Sequence, residues 1–323
     1  MPDLYPLKFK PIFKEKLWGG QKIKTILGKD FGELDNCGET WELSGVPENI
    51  SEVANGVLKG KALTDIIMEC KAELVGNSIY QHFGKEFPLL IKFIDAAKDL
   101  SIQVHPDDEL AQKRHNCPGK AEMWYVIQAD ESASLINGFK KESSRAEYLS
   151  YLKQGKLTEL LNREEVQPGD AFYLPAGRVH TIGKGLLIAE VQQTSDVTYR
   201  IYDFDRTDKN GNKRELHTDL AIDAIDFSEP DEVKSSYDHS LNQANSIVSS
   251  PYFSTNKLFL DQPKAINRSA LDCFKIYIAV GGSGKIEGEP IKFGEVILVP
   301  ACMKEYTIEP EGELELLETY IEL

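Results

Sequence analysis

Short apolar runs punctuated by Gly, Pro and Asp recur along the chain. FPLLIKFID (87–95), LSIQVH (100–105), AEMWYVIQA (121–129), DAFYLPA (170–176), GLLIAEVQQ (185–193) and FKIYIAV (274–280) are strand-length and bounded by turn formers. Runs so spaced predict sandwiches or barrels rather than alternating βαβ units. In SIQVH, Ile102 and Val104 alternate with Ser101, Gln103 and His105. A period of two puts the apolar pair on one face and a hydroxyl, an amide and an imidazole on the other. That polar face meets water or looks into a cavity, and the pattern leaves both open. Helical periodicity covers 62–80, 144–162 and 215–226. The polar, patternless stretch 228–245 predicts a linker between a first body (1–245) and a second (246–323).

An internal echo supports two related bodies. GDAFYLPAGRVH (169–180) and GEVILVPACMKE (294–305) share a turn Gly and an acid, four mostly apolar residues and Pro-Ala. The second copy has Cys302 for Gly177 and Glu305 for His180, so metal-binding residue types survive in the first body alone. GGSGK (281–285) lacks the flanking residues of a phosphate loop and predicts a hairpin turn.

Composition narrows the class. A net charge of −15 over 323 residues argues against nucleic acid or an anionic membrane surface as partner. A small anionic ligand stays open, because a few local Lys and Arg can outweigh the global field. No apolar run approaches the ~18 residues of a membrane span, and the N-terminus does not read as a signal peptide. Five scattered cysteines without a C-x-x-C pair fit reduced thiols in the cytoplasm.

GDAFYLPAGRVH has the form G-x5-P-x-G-x2-H, in which Gly169 turns into the strand and Pro175 and Gly177 turn out of it, aiming His180 inward. This resembles the second motif of the cupin superfamily, a double-sheet jelly roll. Gln103 and His105 share one face, as do Lys120 and Glu122. Each residue has a plain alternative: His105 a half-exposed polar group, Glu122 a surface carboxylate paired with Lys. Together, three separate segments supply ligand types at inward parity, and two imidazoles, a carboxylate and an amide oxygen suit Zn²⁺. His82, His115, His217 and His239 have no such company and read as structural or surface residues.

LWGG (17–20), CGETWELS (37–44), LLIKFIDAAKDLSIQVHPDD (89–108), GKAEMWYVI (119–127), PAGRVHTIG (175–183), LIAEVQQTSDVTYRIYDFDR (187–206) and RELH (214–217) together resemble the type I mannose-6-phosphate isomerases, in their compact bacterial form. The resemblance implies a mainly β fold of two jelly-roll (cupin) barrels with a few helices. It implies one Zn²⁺ per chain on Gln103, His105, Glu122 and His180, with Arg200, Lys120 and Glu190 as catalytic groups. Trp18, Glu39, Lys92 and Ser101 would line the substrate pocket. The expected partner is a small sugar phosphate, for a monomer or weak homodimer. Ile182 stands where many members have Tyr, and Lys184 where the cupin motif has Asn. Rival readings are an isomerase or epimerase of another sugar phosphate, and a non-catalytic bicupin that binds metal and sugar. An Fe²⁺ cupin dioxygenase is disfavoured by the polar pocket.

Overall fold

The computed structural model describes residues 3–208 and 210–323. The first body contains β1 (Ile12–Lys14), β2 (Glu39–Leu43), β3 (Leu89–Ala96), β4 (Ile102–Val104), β5 (Glu122–Ala129), β6 (Ser134–Phe139), β7 (Leu161–Glu165), β8 (Ala171–Leu174), β9 (His180–Ile182), β10 (Leu186–Gln193) and β11 (Tyr199–Tyr202). A six-stranded sheet of order β1-β2-β3-β10-β5-β8 faces a five-stranded sheet of order β11-β4-β9-β6-β7. The architecture is mainly β and cupin-like, built as facing sheets.

Alternation along each strand decides what lies between the sheets and what lies outside. Ile94, Trp124, Phe172 and Ile188 from one sheet meet Leu135 and Ile182 from the other in an inner core. Leu89, Ile91 and Phe93 of β3, Met123 and Tyr125 of β5, and Leu187, Ala189 and Val191 of β10 point out of the opposite face. In β4, Ile102 and Val104 turn outward into a third cluster with Ile136, Tyr148 and Ile201. Gln103 and His105 therefore face the interior, which answers the question left by the pattern: that side looks into a cavity.

The second body contains β12 (Ala244–Ser249), β13 (Ser254–Leu260), β14 (Lys264–Asn267), β15 (Lys275–Ile286), β16 (Glu289–Lys292), β17 (Val296–Val299) and β18 (Glu305–Tyr320) in a single sheet. Its interior is filled by Leu258, Ile286, Ile297, Leu314 and other apolar side chains. Phe274, Ile276, Ile278, Leu298 and Leu317 join the outward face of the six-stranded sheet in one core. Phe87 and Phe274 meet there with ring centroids 4.9 Å apart. Leu7 pairs in both directions with Leu298 (2.8 and 2.9 Å), so the start of the chain is stitched into the second body. Each such buried side chain contributes about 1.5–3 kcal/mol against exposure.

The two copies of the echoed motif begin alike. Gly169 (φ +94°) and Gly294 (φ +83°) make the left-handed turns that lead into β8 and β17. His180 then opens β9, and Glu305 opens β18.

Four local readings differ from the sequence expectation. Residues 62–80 form three short helices, Leu63–Cys70, Ala72–Val75 and Asn77–Phe83. The last break is forced at Gly76 (φ +100°), where a Cβ would lie 2.2 Å from the Asp272 carbonyl oxygen. Over 144–162 the helix stops at Lys153, and Leu161 already begins β7. Over 215–226 only Thr218–Ala221 is helical. GGSGK is not a turn: it lies within β15, whose register shifts there where it pairs β18, and the hairpin turns at Glu287-Gly288. The polar stretch 228–245 docks along the first body, with Ser235 N–H donating to Ala171 O and Tyr237 Oη to Gly169 O. No helix among the described residues is long and apolar enough to cross a membrane.

Candidate active site and metal centre

Sheet register assembles the site. Across the five-stranded sheet, Arg200 of β11 is the partner of Gln103 in β4, and Gln103 is the partner of His180 in β9. Across the facing sheet, Trp41, Lys92, Glu190 and Trp124 stand side by side on β2, β3, β10 and β5. Both rows point inward.

His105, Glu122 and His180 converge so that their ligand atoms lie within 4.8 Å of one another, all fully buried. Glu122 Oε1 is 3.2 Å from His180 Nε2, and Oε2 is 3.6 Å from His105 Nε2. The Gln103 amide approaches the same two nitrogens at 3.2 and 3.5 Å. His105 Nδ1 donates to Val197 O (2.9 Å), and His180 Nδ1 to Arg178 O (2.8 Å). With the Nδ1 protons so committed, both Nε2 lone pairs aim at one point, the arrangement that orients metal-bound imidazoles.

Electrostatics agree with the geometry. Burial, helped by the Lys120 charge, pushes His180 down to about 3 and His105 well below the usual imidazole range. Burial raises Glu122 to about 7 against the pull of Lys120. Neither Glu122 oxygen receives a well-aligned hydrogen bond, although Lys120 Nζ lies 3.1 Å from Oε2. Two neutral imidazoles and an under-satisfied carboxylate, with an amide alongside, fit a divalent cation.

The centre adjoins a polar cavity of about 290 Å³. Trp18, Glu39, Lys92, Ser101, Gln103, Lys120, Glu190 and Arg200, all singled out from the sequence, line it. Lys92 bridges to Glu190 at 3.0 Å and donates to Gln192 at 2.5 Å. Burial alone would lower Lys92, but Glu190, Glu39 and Asp196 outweigh it and keep the ammonium charged. Likewise burial would raise Glu190, but Lys92 and Lys120 prevail and hold its carboxyl down. Glu190 also accepts from Trp124 Nε1 (2.9 Å). Burial is similarly overridden at Glu39, held at about 2 by Lys92 and Lys16.

Lys16, Asp196, Thr198 and Arg214 also line the cavity and were missed from the sequence. Asp196, Thr198 and Arg200 alternate within SDVTYR, a period-two signal that could have found the first two. His217, read as structural or surface, accepts the Arg200 backbone N–H on Nδ1 (3.1 Å).

The fold is mainly β and cupin-like, with facing sheets that enclose a His–Glu–His cluster able to hold a metal ion. Residues 6–127 match the family described as phosphomannose isomerase type I, catalytic domain. The chain is 38% identical to the probable mannose-6-phosphate isomerase GmuF of Bacillus subtilis over 94% of its own length and 96% of that protein. It is 36% identical to the mannose-6-phosphate isomerase of Streptococcus mutans, covering 98% of both. The crystal structure of mannose 6-phosphate isomerase from Bacillus subtilis superposes with a TM-score of 0.87 at 35% identity, over 98% of this chain and 99% of that one. The chain belongs to the type I phosphomannose isomerase family.

Proposed function

We propose that the protein interconverts D-mannose 6-phosphate and D-fructose 6-phosphate through a cis-enediol, with one Zn²⁺ held by Gln103, His105, Glu122 and His180. The observation that carries this reading is the buried His–Glu–His centre opening onto a small polar pocket with more cations than carboxylates. Five cationic side chains (Lys16, Lys92, Lys120, Arg200, Arg214) face three acids (Glu39, Glu190, Asp196) there. In a chain of net charge −15, that local excess suits an anionic sugar.

A bound Zn²⁺ supplies Lewis acidity toward the sugar oxygens at C1 and C2. The protein's own groups do the rest. Glu190, kept ionised by Lys92 and Lys120, takes the C2 proton and returns it at C1, while the hydroxyl proton passes from O2 to O1. Its lowered pKa makes it a weak base, which the flanking cations offset by stabilising the charge that leaves with the proton. Lys120 and Arg200 stand against the developing enediolate. Trp18, Glu39 and Ser101 shape the wall around the sugar. Asp196, exposed and lining the same pocket, is, among the described residues, the pocket carboxylate with no cation paired to it in the way Glu39 and Glu190 are; a Glu190→Gln variant with full activity would move the base role to it. The second body, filled with apolar side chains, has a structural role, and the five free thiols suit a reducing cytoplasm.

The test is product identity and isotope exchange. Incubation of D-mannose 6-phosphate in D₂O should give D-fructose 6-phosphate carrying some solvent deuterium at C1, because the proton held on Glu190 can exchange with water before its return. Another sugar phosphate as the favoured substrate supports the rival isomerase or epimerase. Binding without turnover supports the non-catalytic bicupin, and solvent deuterium at C1 excludes a direct C2-to-C1 hydride shift.

A further inference from the structure

Three of the five pocket cations are tied up inside the site. Lys16 pairs with Glu39 at 3.2 Å, Lys92 with Glu190 at 3.0 Å, and Lys120 with Glu122 at 3.1 Å. The two guanidiniums differ. Arg200 donates Nη1 to Glu215 O (2.8 Å), and its buried Nε has no partner. Arg214 is held from behind: Nε and Nη2 grip the two Asp203 oxygens at 2.8 and 2.5 Å. Asp203, 4% exposed, also takes the Arg206 guanidinium. One carboxylate thus serves two arginines, leaving the cluster with an unmatched positive charge on the pocket wall. Burial, with the nearby Arg214 charge, pushes Arg200 down.

We propose that Arg214 binds the substrate's phosphate and so sets the preference for phosphorylated over free hexose; the inference rests on the sugar-phosphate reading above. Position divides the two arginines. Arg200 is the cross-strand partner of Gln103, which places it beside the metal centre where the reacting carbons sit. Arg214 lies outside the strands, on the segment that follows β11. That segment is fastened to β11 by His217 N–H to Arg200 O (2.7 Å) and by Arg200 Nη1 to Glu215 O (2.8 Å). The Asp203 clamp fixes the plane of the Arg214 fork before any ligand arrives and leaves Nη1 outside the clamp. A preset planar fork loses little entropy on meeting a dianion.

Kinetics of the holoenzyme on D-mannose 6-phosphate and on D-mannose, with inorganic phosphate as competitive inhibitor, test this. Arg214→Ala should raise KM for the phosphorylated sugar about 10–100-fold, the span of a lost charge-assisted hydrogen bond, with a much smaller fall in kcat. Inhibition by phosphate should weaken in parallel, and the penalty on D-mannose should be far smaller. Arg214→Lys should recover part, because it keeps the charge without the fork. Asp203→Asn, which loosens the clamp, should raise KM by less. Equal losses on both sugars, a kcat effect at unchanged KM, or unaltered phosphate inhibition overturns the proposal. Should Arg214→Ala fail to fold, Arg214→Gln is read the same way. If the wild type turns over no mannose 6-phosphate, the functional reading fails. Calorimetric titration with fructose 6-phosphate still decides the role of Arg214: binding by wild type that survives in the variant refutes it, and binding that is lost supports it.

Discussion

Replacing Arg200 with Ala separates chemistry from folding at this site. The side chain makes one hydrogen bond of its own, to the Glu215 carbonyl at 2.8 Å, and its buried Nε has no partner to strand. Its removal should cost about 1 kcal/mol of stability, the net worth of one such bond. The metal centre should be untouched, because the cross-strand pairing of Arg200 with Gln103 is made by the backbone. The loss in catalysis should be larger. Charge on the sugar oxygens grows between ground state and transition state, so a guanidinium beside them lowers the barrier selectively. Removing one such donor costs on the order of 3 kcal/mol, a factor of roughly 10²–10³ in kcat. Steady-state kinetics on D-mannose 6-phosphate, with metal content and thermal unfolding measured on the same sample, should show a low kcat and a nearly unchanged KM. Arg200→Lys should recover part of the rate. A pure KM effect, largest for phosphorylated sugars, would refute the assignment and give Arg200 the phosphate instead.

Elemental analysis should find about one metal per chain, since His105, Glu122 and His180 form the one such cluster among the described residues; loss of both imidazoles should abolish it, and metal surviving that double substitution would exclude the centre. Truncation near residue 245 should give an insoluble or molten product, because it uncovers the apolar face of Leu187, Ala189 and Val191; a soluble, fully active fragment would contradict this. Lys257, with a fully buried side chain 2.7 Å from Glu315 and over the Tyr125 ring, is pushed by burial down to about 8. Below that pH the ammonium is charged in both folded and unfolded chains and its burial cost is fully present. Between about 8 and the unfolded value of roughly 10.4 the unfolded chain binds more protons, so stability should rise with pH, by on the order of 3 kcal/mol in all. Denaturant titrations across that window should show the rise in wild type and its loss in Lys257→Met; an identical pH profile in both proteins would refute it.

The sequence made faces legible and left partners hidden. Period-two alternation placed Gln103 and His105 opposite Ile102 and Val104, and that is a property of one strand. Which strand lies beside it is not. Gln103 meets His180, and Lys92 meets Glu190, through pairings between distant segments; the family resemblance placed all four in one site without giving the Lys92–Glu190 contact. Helical periodicity over 62–80 was real on the apolar face of Leu63, Ile66, Ile67 and Leu74. The break at Gly76 depends on Asp272 of the second body, whose carboxylate accepts the N–H groups of Asn77 and Ser78. Arg214 went without a role for a similar reason: RELH marked the family resemblance, but only the Asp203 clamp holds the guanidinium at the pocket. GGSGK reads as a turn by composition, yet Gly282 and Gly284 are needed where β18 runs too close for a Cβ, 1.9 and 2.4 Å from its carbonyl oxygens.

The central claim is that the buried His–Glu–His centre, loaded with one Zn²⁺, drives aldose–ketose isomerisation. The direct measurement is a coupled assay for fructose 6-phosphate formed from mannose 6-phosphate, run on the protein as purified, after exhaustive chelation, and after titration with Zn²⁺. Activity should vanish with the metal and return in proportion to Zn²⁺ up to one equivalent, with no recovery in a His105→Ala, His180→Ala variant. Full turnover by metal-free protein, or by that variant, would contradict the account.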